Sequence, residues 1–307
     1  LATYVNSIAV RERDGDMMVS VATTPEIFLI STDNEFEPIK VATIPRVEAA
    51  ISITETSVDE FYIVAGNLSV TAKVATPGSF SVWKLDIKNG PHSVQPTKVA
   101  DIKDGALLNR ITSLDSETLL VSDSTLGVVW SINTMSGESC VILNDTATMA
   151  PRTPPGVGIN YMSVYGDYLY YDNSEKGEIS RIPIDLQNGT ALGPAQVLVQ
   201  NNETIFPEGF TIRKDNLWLA NAAYSQLNFL PAAAAAATTR SSSPPPIQVV
   251  AGNPNDTVFA GPSDCKFGKK ALDVERGSLY VTTVGKSGGN WTFGGSLWRL
   301  DVGPYLS

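Results

Sequence analysis

The chain has 307 residues, 43% of them hydrophobic and 18% charged, which is enough to bury a large core. Its formal net charge of -10 argues against nucleic acid and anionic membrane surfaces as partners. No apolar run approaches the ~18 residues that would predict a transmembrane helix, so no membrane insertion is expected.

In chain order, the start "LATYVNSIAV" is not a signal peptide, because no charged segment precedes an apolar stretch. The numbering is expected to begin after a removed leader. Residues 6–32, "NSIAVRERDGDMMVSVATTPEIFLIST", then read as strand, turn, strand, turn, strand. The same shape returns at 49–87, 108–133, 159–184, 208–231 and 263–302. One further short apolar strand follows most units: "IKVATI", "TKVADI", "CVIL", "AQVLV" and "IQVVAG". Gly, Asn, Asp and Pro bound the strands, as turns require. No long window keeps a helical period. A repeat of about 40–58 residues built from four strands predicts an all-β fold. The expected architecture is a six-bladed β-propeller, with four-stranded antiparallel blades around a central channel. It is read as one domain over 1–307. The sixth unit lacks a fourth strand, and residues 1–5 are the candidates to supply it. Residues 231–246, "PAAAAAATTRSSSPPP", break the pattern and are read as a flexible insertion in blade 5.

In a propeller, the starts of inner strands and the ends of second strands converge on the channel. The inner-strand starts are Asn6, Glu48, Asn109, Asn160, Glu208 and Asp264. The second-strand ends are Thr23, Asn67, Asp123, Asp172, Asn221 and Thr283. The long loops 67–79 and 284–295 are candidate lids, the second carrying Trp291 and Phe293. Trp83, Trp130 and Trp298 recur on third strands and are read as packing between blades. Asp123 is read as orienting Asn109 or turning the chain.

Two cysteines, Cys140 and Cys265, lack metal-site spacing, so two buried thiols or one disulfide are the readings. His92, the single histidine, lies in an outer turn, away from any central triad. No dinucleotide or P-loop motif occurs. The pattern N-x-[ST] occurs at Asn67, Asn144, Asn188, Asn202, Asn255 and Asn290. Six such acceptors point to glycosylation and to a secretory or extracellular location.

Several stretches carry a family likeness: "LLNRITSLDSETLLVSDSTLGVVWSIN", "GVGINYMSVYGDYLYYDNSEKGEISRIPI", "PEGFTIRKDNLWLANA" and "GPSDCKFG" with "GGSLWRLDV". Together they resemble the gluconolactonase, regucalcin and strictosidine-synthase-like six-bladed propellers. More closely they resemble a fungal secreted branch that includes hetero-Diels–Alderases of tropolonic sesquiterpenoid biosynthesis. The metal enzymes of this group hold a divalent cation with Glu, Asn, Asn and Asp. Here Asn109, Asn160 and Glu208 match three of those positions, while Val5 stands at the first. The resemblance therefore implies no cofactor, with a channel calcium as the alternative. The function it implies is a pericyclase joining a tropolone-derived o-quinone methide to a humulene-type terpene. Glu208, Asn109, Asn160 and Asp264 are the expected catalytic residues. Glu48, Asn67, Tyr161, Tyr224, Trp291 and Phe293 are expected to bind the apolar, tropolonic substrates. The alternatives are a metal-dependent lactonase and a non-catalytic secreted binding protein.

Overall fold

The computed structural model describes residues 3–33, 38–70, 72–92, 94–200, 206–231, 247–285 and 294–306. The expected six-bladed propeller is present, each blade an antiparallel sheet running outward from the channel. Blade 1 is Val5–Val10, Met17–Val21, Glu26–Ile30 and Pro38–Thr43. Blade 2 is Ala49–Ser57, Glu60–Gly66, Ser81–Asp86 and Thr97–Asp101. Blade 3 is Leu108–Ser113, Thr118–Asp123, Val128–Asn133 and Ser139–Leu143. Blade 4 is Ile159–Tyr165, Tyr168–Asn173, Glu178–Pro183 and Gln196–Gln200. Blade 5 is Pro207–Arg213, Asn216–Asn221, Gln226–Leu230 and Gln248–Gly252.

Blade 6 has three strands among the described residues, Pro262–Phe267, Ser278–Thr283 and Leu297–Asp301. Of the residues expected to supply a fourth, those described, 3–5, do not form it. Val5 already opens the inner strand of blade 1, and the Thr3 carbonyl accepts from Gly295 N–H, ahead of the third strand of blade 6.

The core is distributed around the ring. Each of six apolar clusters joins two neighbouring blades, so every interface buries its own seam. Trp83 and Trp130 sit in such seams, and Trp298 packs against another. This follows from the strand patterns: second strands are buried on both faces, as in "LLVSD" of blade 3, because each blade is covered by a neighbour on either side. One helix, Ala271–Arg276, interrupts the first hairpin of blade 6. Gly277 ends it in the left-handed conformation, φ 64°, which glycine adopts without steric cost.

One device repeats in all six blades. The register between inner and second strand slips near the start of the inner strand, and blade 2 has a second slip between Glu55 and Ser57. The slips fall between Val5 and Ser7, Ala50 and Ser52, Leu108 and Ile111, Ile159 and Met162, Pro207 and Gly209, and Pro262 and Asp264. A bulge re-aims the unpaired side chain. The residues so released are Asn6, Ile51, Asn109 with Arg110, Asn160 with Tyr161, Glu208 and Ser263. At this layer the inner strands crowd the axis. A side chain at Gly209 would meet the Ser263 carbonyl oxygen at 2.7 Å and Asp264 Cα at 2.9 Å, so only glycine fits.

Candidate functional site

The channel is divided across its middle by Arg110, a residue passed over in the sequence. Its side chain is almost fully buried, at 1% exposure. Nη1 donates to the Asn6 carbonyl at 2.7 Å, and Nη2 donates to the carbonyls of Glu208 and Ser263, both at 3.0 Å. One guanidinium thus links the inner strands of blades 1, 5 and 6 to its own in blade 3. It also lies over the Tyr161 ring, 5.7 Å from the centroid. The sequence signal was faint: one Arg in "LLNRITS" belongs to no motif.

On one side of this plate lies a cavity of about 580 Å3. Its floor carries Asn6, Asn109, Glu208 and Tyr4. Its walls are mostly apolar, including Ile51, Leu107, Val157, Phe206, Ala222 and Val284. The 2–3 loop of blade 2 forms a small hairpin, Leu68–Ser69 with Val74–Ala75, and Leu68, Val70, Lys73 and Ala75 line the cavity. The lid expected at 67–79 is therefore in place.

Glu208 is the carboxylate of this floor. Asn160 Nδ2 donates to its Oε2 at 3.0 Å and to Ser174 Oγ at 2.9 Å. Burial pushes the Glu208 carboxyl above its ordinary range, although the Arg110 charge and the Asn160 hydrogen bond pull the other way. The Tyr4 phenol is raised in turn by burial and by the Glu208 charge. Behind them Asp172 is fully buried. Its Oδ1 accepts from Tyr161 N–H at 2.9 Å, and its Oδ2 has no partner. Burial raises Asp172 well above the carboxylate range. The Asn109 amide lines the cavity and donates to Ser124 Oγ at 3.1 Å.

The other expected site residues are dispersed. Glu48 is exposed and lines neither cavity, because the slip in blade 2 delivers Ile51 to the channel instead. Asp264 is buried below the plate, where it accepts from Ser7 Oγ at 3.1 Å, Ile8 N–H at 3.2 Å and Cys265 N–H at 2.8 Å. Tyr161 also lies below the plate, its ring edge-on to Phe210 and its hydroxyl accepting from Lys266 Nζ. Asn67 sits at the hinge of the blade 2 lid, its backbone fixed by Ser79 Oγ and Thr76 N–H. Tyr224 is half-buried, and its neighbours Ala222, Ala223 and Ser225 line the cavity in its place. Trp291, Phe293 and the acceptors Asn202 and Asn290 lie outside the described residues.

Asp123 turns the chain. It accepts from the N–H groups of Ala106 and Leu107 in the incoming loop and of Thr125 and Leu126 in its own turn. Asn173 and Asn221 tie the incoming loops of blades 4 and 5 from the corresponding position. The cysteines match neither expectation: both are free thiols, Cys265 buried but Cys140 exposed. His92 is exposed in its turn.

The donor set does not fit a calcium ion. Such an ion wants about six to eight oxygens with several carboxylates. Here Glu208 is the one carboxylate on the floor, Val5 is a buried apolar residue, and Asn160 turns its amino group to Glu208. The Arg110 charge acts on the same carboxylate and opposes a cation there. Among the described residues no group of three or more His, Cys, Asp or Glu could hold a metal.

No protein-family profile matches the chain. It is similar to the "Putative hetero-Diels-Alderase asR5" of Sarocladium schorii, 24% identical over 217 residues, which are 60% of this chain. The match spans about half, 51%, of that relative's length. Among solved structures, it shares its fold with a luciferin-regenerating enzyme (TM-score 0.65, 14% identity, 97% of this chain and 92% of that one). It shares it equally with the PQQ-bound aldose sugar dehydrogenase of Streptomyces coelicolor (TM-score 0.62, 12% identity, 98% and 94%). A streptogramin B lyase aligns at a TM-score of 0.54, with 16% identity over 91% and 90% of the two chains. The propeller resemblance read in the sequence is thereby reproduced.

Proposed function

We propose that this propeller is a pericyclase, a hetero-Diels–Alderase that joins a tropolone-derived o-quinone methide to a humulene-type terpene in the larger cavity. The observation that carries the reading is one raised carboxyl, Glu208, on the floor of a mostly apolar pocket. The likeness to a protein described as a hetero-Diels–Alderase supports it.

The chemistry follows from those two properties. A hydroxymethyl tropolone loses its ring hydroxyl proton and its side-chain hydroxyl, together one water, to give the quinone methide. Burial favours the protonated form of the Glu208 carboxyl, which delivers the proton that the leaving hydroxyl needs, and the carboxylate so formed takes up the ring hydroxyl proton. An exposed carboxyl, near pKa ~4.3, holds its proton over a narrower pH range, so burial of Glu208 is what suits it to the step. The quinone methide then adds across a terpene double bond, forming one C–C and one C–O bond. That step needs no group transfer. It needs both partners held in one orientation, which an apolar wall of fixed shape provides. Water exclusion by the lid protects the quinone methide from rehydration.

The test is incubation of the protein with the hydroxymethyl tropolone and the terpene, with adducts resolved by chiral chromatography. Wild-type protein is expected to form one dominant stereoisomer, unaffected by chelator. Glu208→Gln is expected to slow adduct formation by ~10²-fold or more while the isomer ratio persists, because the walls remain. An unchanged rate in Glu208→Gln would remove Glu208 from the mechanism. Loss of turnover on chelation would support a metal-dependent hydrolase instead.

A further inference from the structure

The Arg110 plate leaves a second cup on the opposite mouth of the channel, about 310 Å3 in volume. Its chemistry is opposite to that of the first. Three cationic side chains, Arg213, Lys266 and Lys269, line it together with the hydroxyl residues Ser7, Ser52, Thr54, Thr112 and Thr211. The chain as a whole has net charge -10 with 22 Lys and Arg residues. A gathering of three cations at the axis is therefore against its general trend.

We infer that this cup is a binding site for a small hydroxylated monocarboxylate, separate from the apolar cavity. Arg213 lies over the Phe267 ring, 4.6 Å from its centroid, and its buried Nη1 has no hydrogen-bond partner among the described residues. A guanidinium held by stacking keeps its planar fork ready for a carboxylate. Lys266 donates to the Tyr161 hydroxyl and spans the wall between cup and plate. The two acidic groups of the cup are already engaged. Asp264 accepts from two backbone N–H groups and Ser7 Oγ, and Glu55 accepts from Asp59 N–H at 2.9 Å and Glu12 N–H at 2.7 Å. Lys269 pairs with Glu12 at the rim. Among the described residues two cations, Arg213 and Lys266, thus have no carboxylate partner. The carboxyl oxygens of Asp264 and Glu55 in the same wall present acceptors and no donors to a second anionic group on the ligand, which favours a monoanion over a dianion. Thr54, Thr112 and Thr211 rise from three different inner strands and offer donors and acceptors to ligand hydroxyls. A volume of this size lies at the lower end of small-molecule sites, ~300–1,000 Å3.

The probe is sodium quinate, a cyclic polyol carrying one carboxylate, with myo-inositol as its uncharged counterpart and inorganic phosphate as the dianion. Binding is measured by isothermal titration calorimetry at low salt on the intact chain. Quinate is expected to bind, and myo-inositol and phosphate to bind at least tenfold more weakly. Arg213→Gln and Lys266→Met are each expected to weaken quinate about tenfold or more, the scale of one charge-assisted contact. Lys73→Met, which removes the cation of the other cavity, is expected to leave quinate affinity unchanged. Thermal denaturation of each variant confirms the fold. If Lys266→Met fails to fold, Arg213→Gln at the mouth carries the test. Equal binding of quinate and inositol, phosphate preferred over quinate, loss of affinity in Lys73→Met, or unchanged affinity in Arg213→Gln would each overturn the assignment.

Discussion

Arg110 shows how one side chain can set both the shape and the electrostatics of the channel. It satisfies three buried carbonyls from three other blades and opposes the burial that raises Glu208. Arg110→Met leaves those carbonyls without a donor and is expected to cost about 3–5 kcal/mol in urea denaturation. It also removes the charge that holds Glu208 down, so the Glu208 carboxyl rises further. If Glu208 is the acid, activity falls as pH rises through its pKa. In Arg110→Met that fall is displaced to higher pH, and an undisplaced profile would uncouple the two residues. The same raised carboxyl has a consequence for stability. Because its folded pKa exceeds the unfolded value, its contribution is full below the unfolded pKa and is lost as pH rises through the folded one. Glu208→Gln is spared that loss. Its melting temperature relative to wild type is therefore expected to be higher at about pH 8 than at about pH 4, and scanning calorimetry at the two values checks the sign.

At the level of strands and loops, the repeated slip of the inner strand explains what could and could not be read from sequence. Strand number, hairpin order and blade count were legible because burial on both faces and turn residues recur in every unit. The position of the slip was not, because a bulge leaves no mark in hydrophobic periodicity. In blade 2 the slip falls between Ala50 and Ser52, which brings Ile51 to the channel and leaves Glu48 on the surface. In blade 3 it spans two residues, so Asn109 and Arg110 are released together and the guanidinium, not the amide, closes the channel. Tyr161, likewise released with Asn160, turns to the opposite cup. The blade 2 lid was legible by length alone. Its hairpin pairs only with itself, through Leu68–Ala75 and Ser69–Val74, yet it supplies four wall residues. If the cavity takes the tropolone as proposed, replacing residues 69–74 with a two-glycine turn is expected to raise its KM about tenfold, the value of a few lost apolar contacts. The melting temperature should move by only a few degrees. A collapse of the fold would show that the hairpin supports the blade, and an unchanged KM would show that it does not cover the substrate.

Across the whole ring, closure of blade 6 onto blade 1 depends on buried polar contacts near the axis as well as on exposed ion pairs. Among the described residues blade 6 has no fourth strand, and its third, Leu297–Asp301, has no fully buried residue. The last blade is joined to the first by the small apolar seam of Val5, Ile8, Val10, Met17, Val19 and Tyr280, by ion pairs of Lys269 with Glu12 and of Lys270 with Asp16 and Asp33, and by a buried polar clasp. In that clasp Ser263 Oγ donates to the Val5 carbonyl at 2.7 Å, and Asp264 takes Ser7 Oγ and Ile8 N–H. Both Ser263 and Asp264 are buried, so each missing partner exposes the full desolvation cost of the group left behind. Asp264→Ala strands Ile8 N–H and Cys265 N–H together and is expected to cost about 2–4 kcal/mol. Asp264→Asn keeps an acceptor oxygen and is expected to cost less. The loss should also be local. Native-state hydrogen exchange of Asp264→Ala is expected to show protection falling first in Val5–Val10 and Leu297–Asp301, with the inner strands of blades 3 and 4 retaining theirs. If protection instead fell evenly around the ring, the clasp would be one contact among many and closure would have to be sought in the seams that all six blades share.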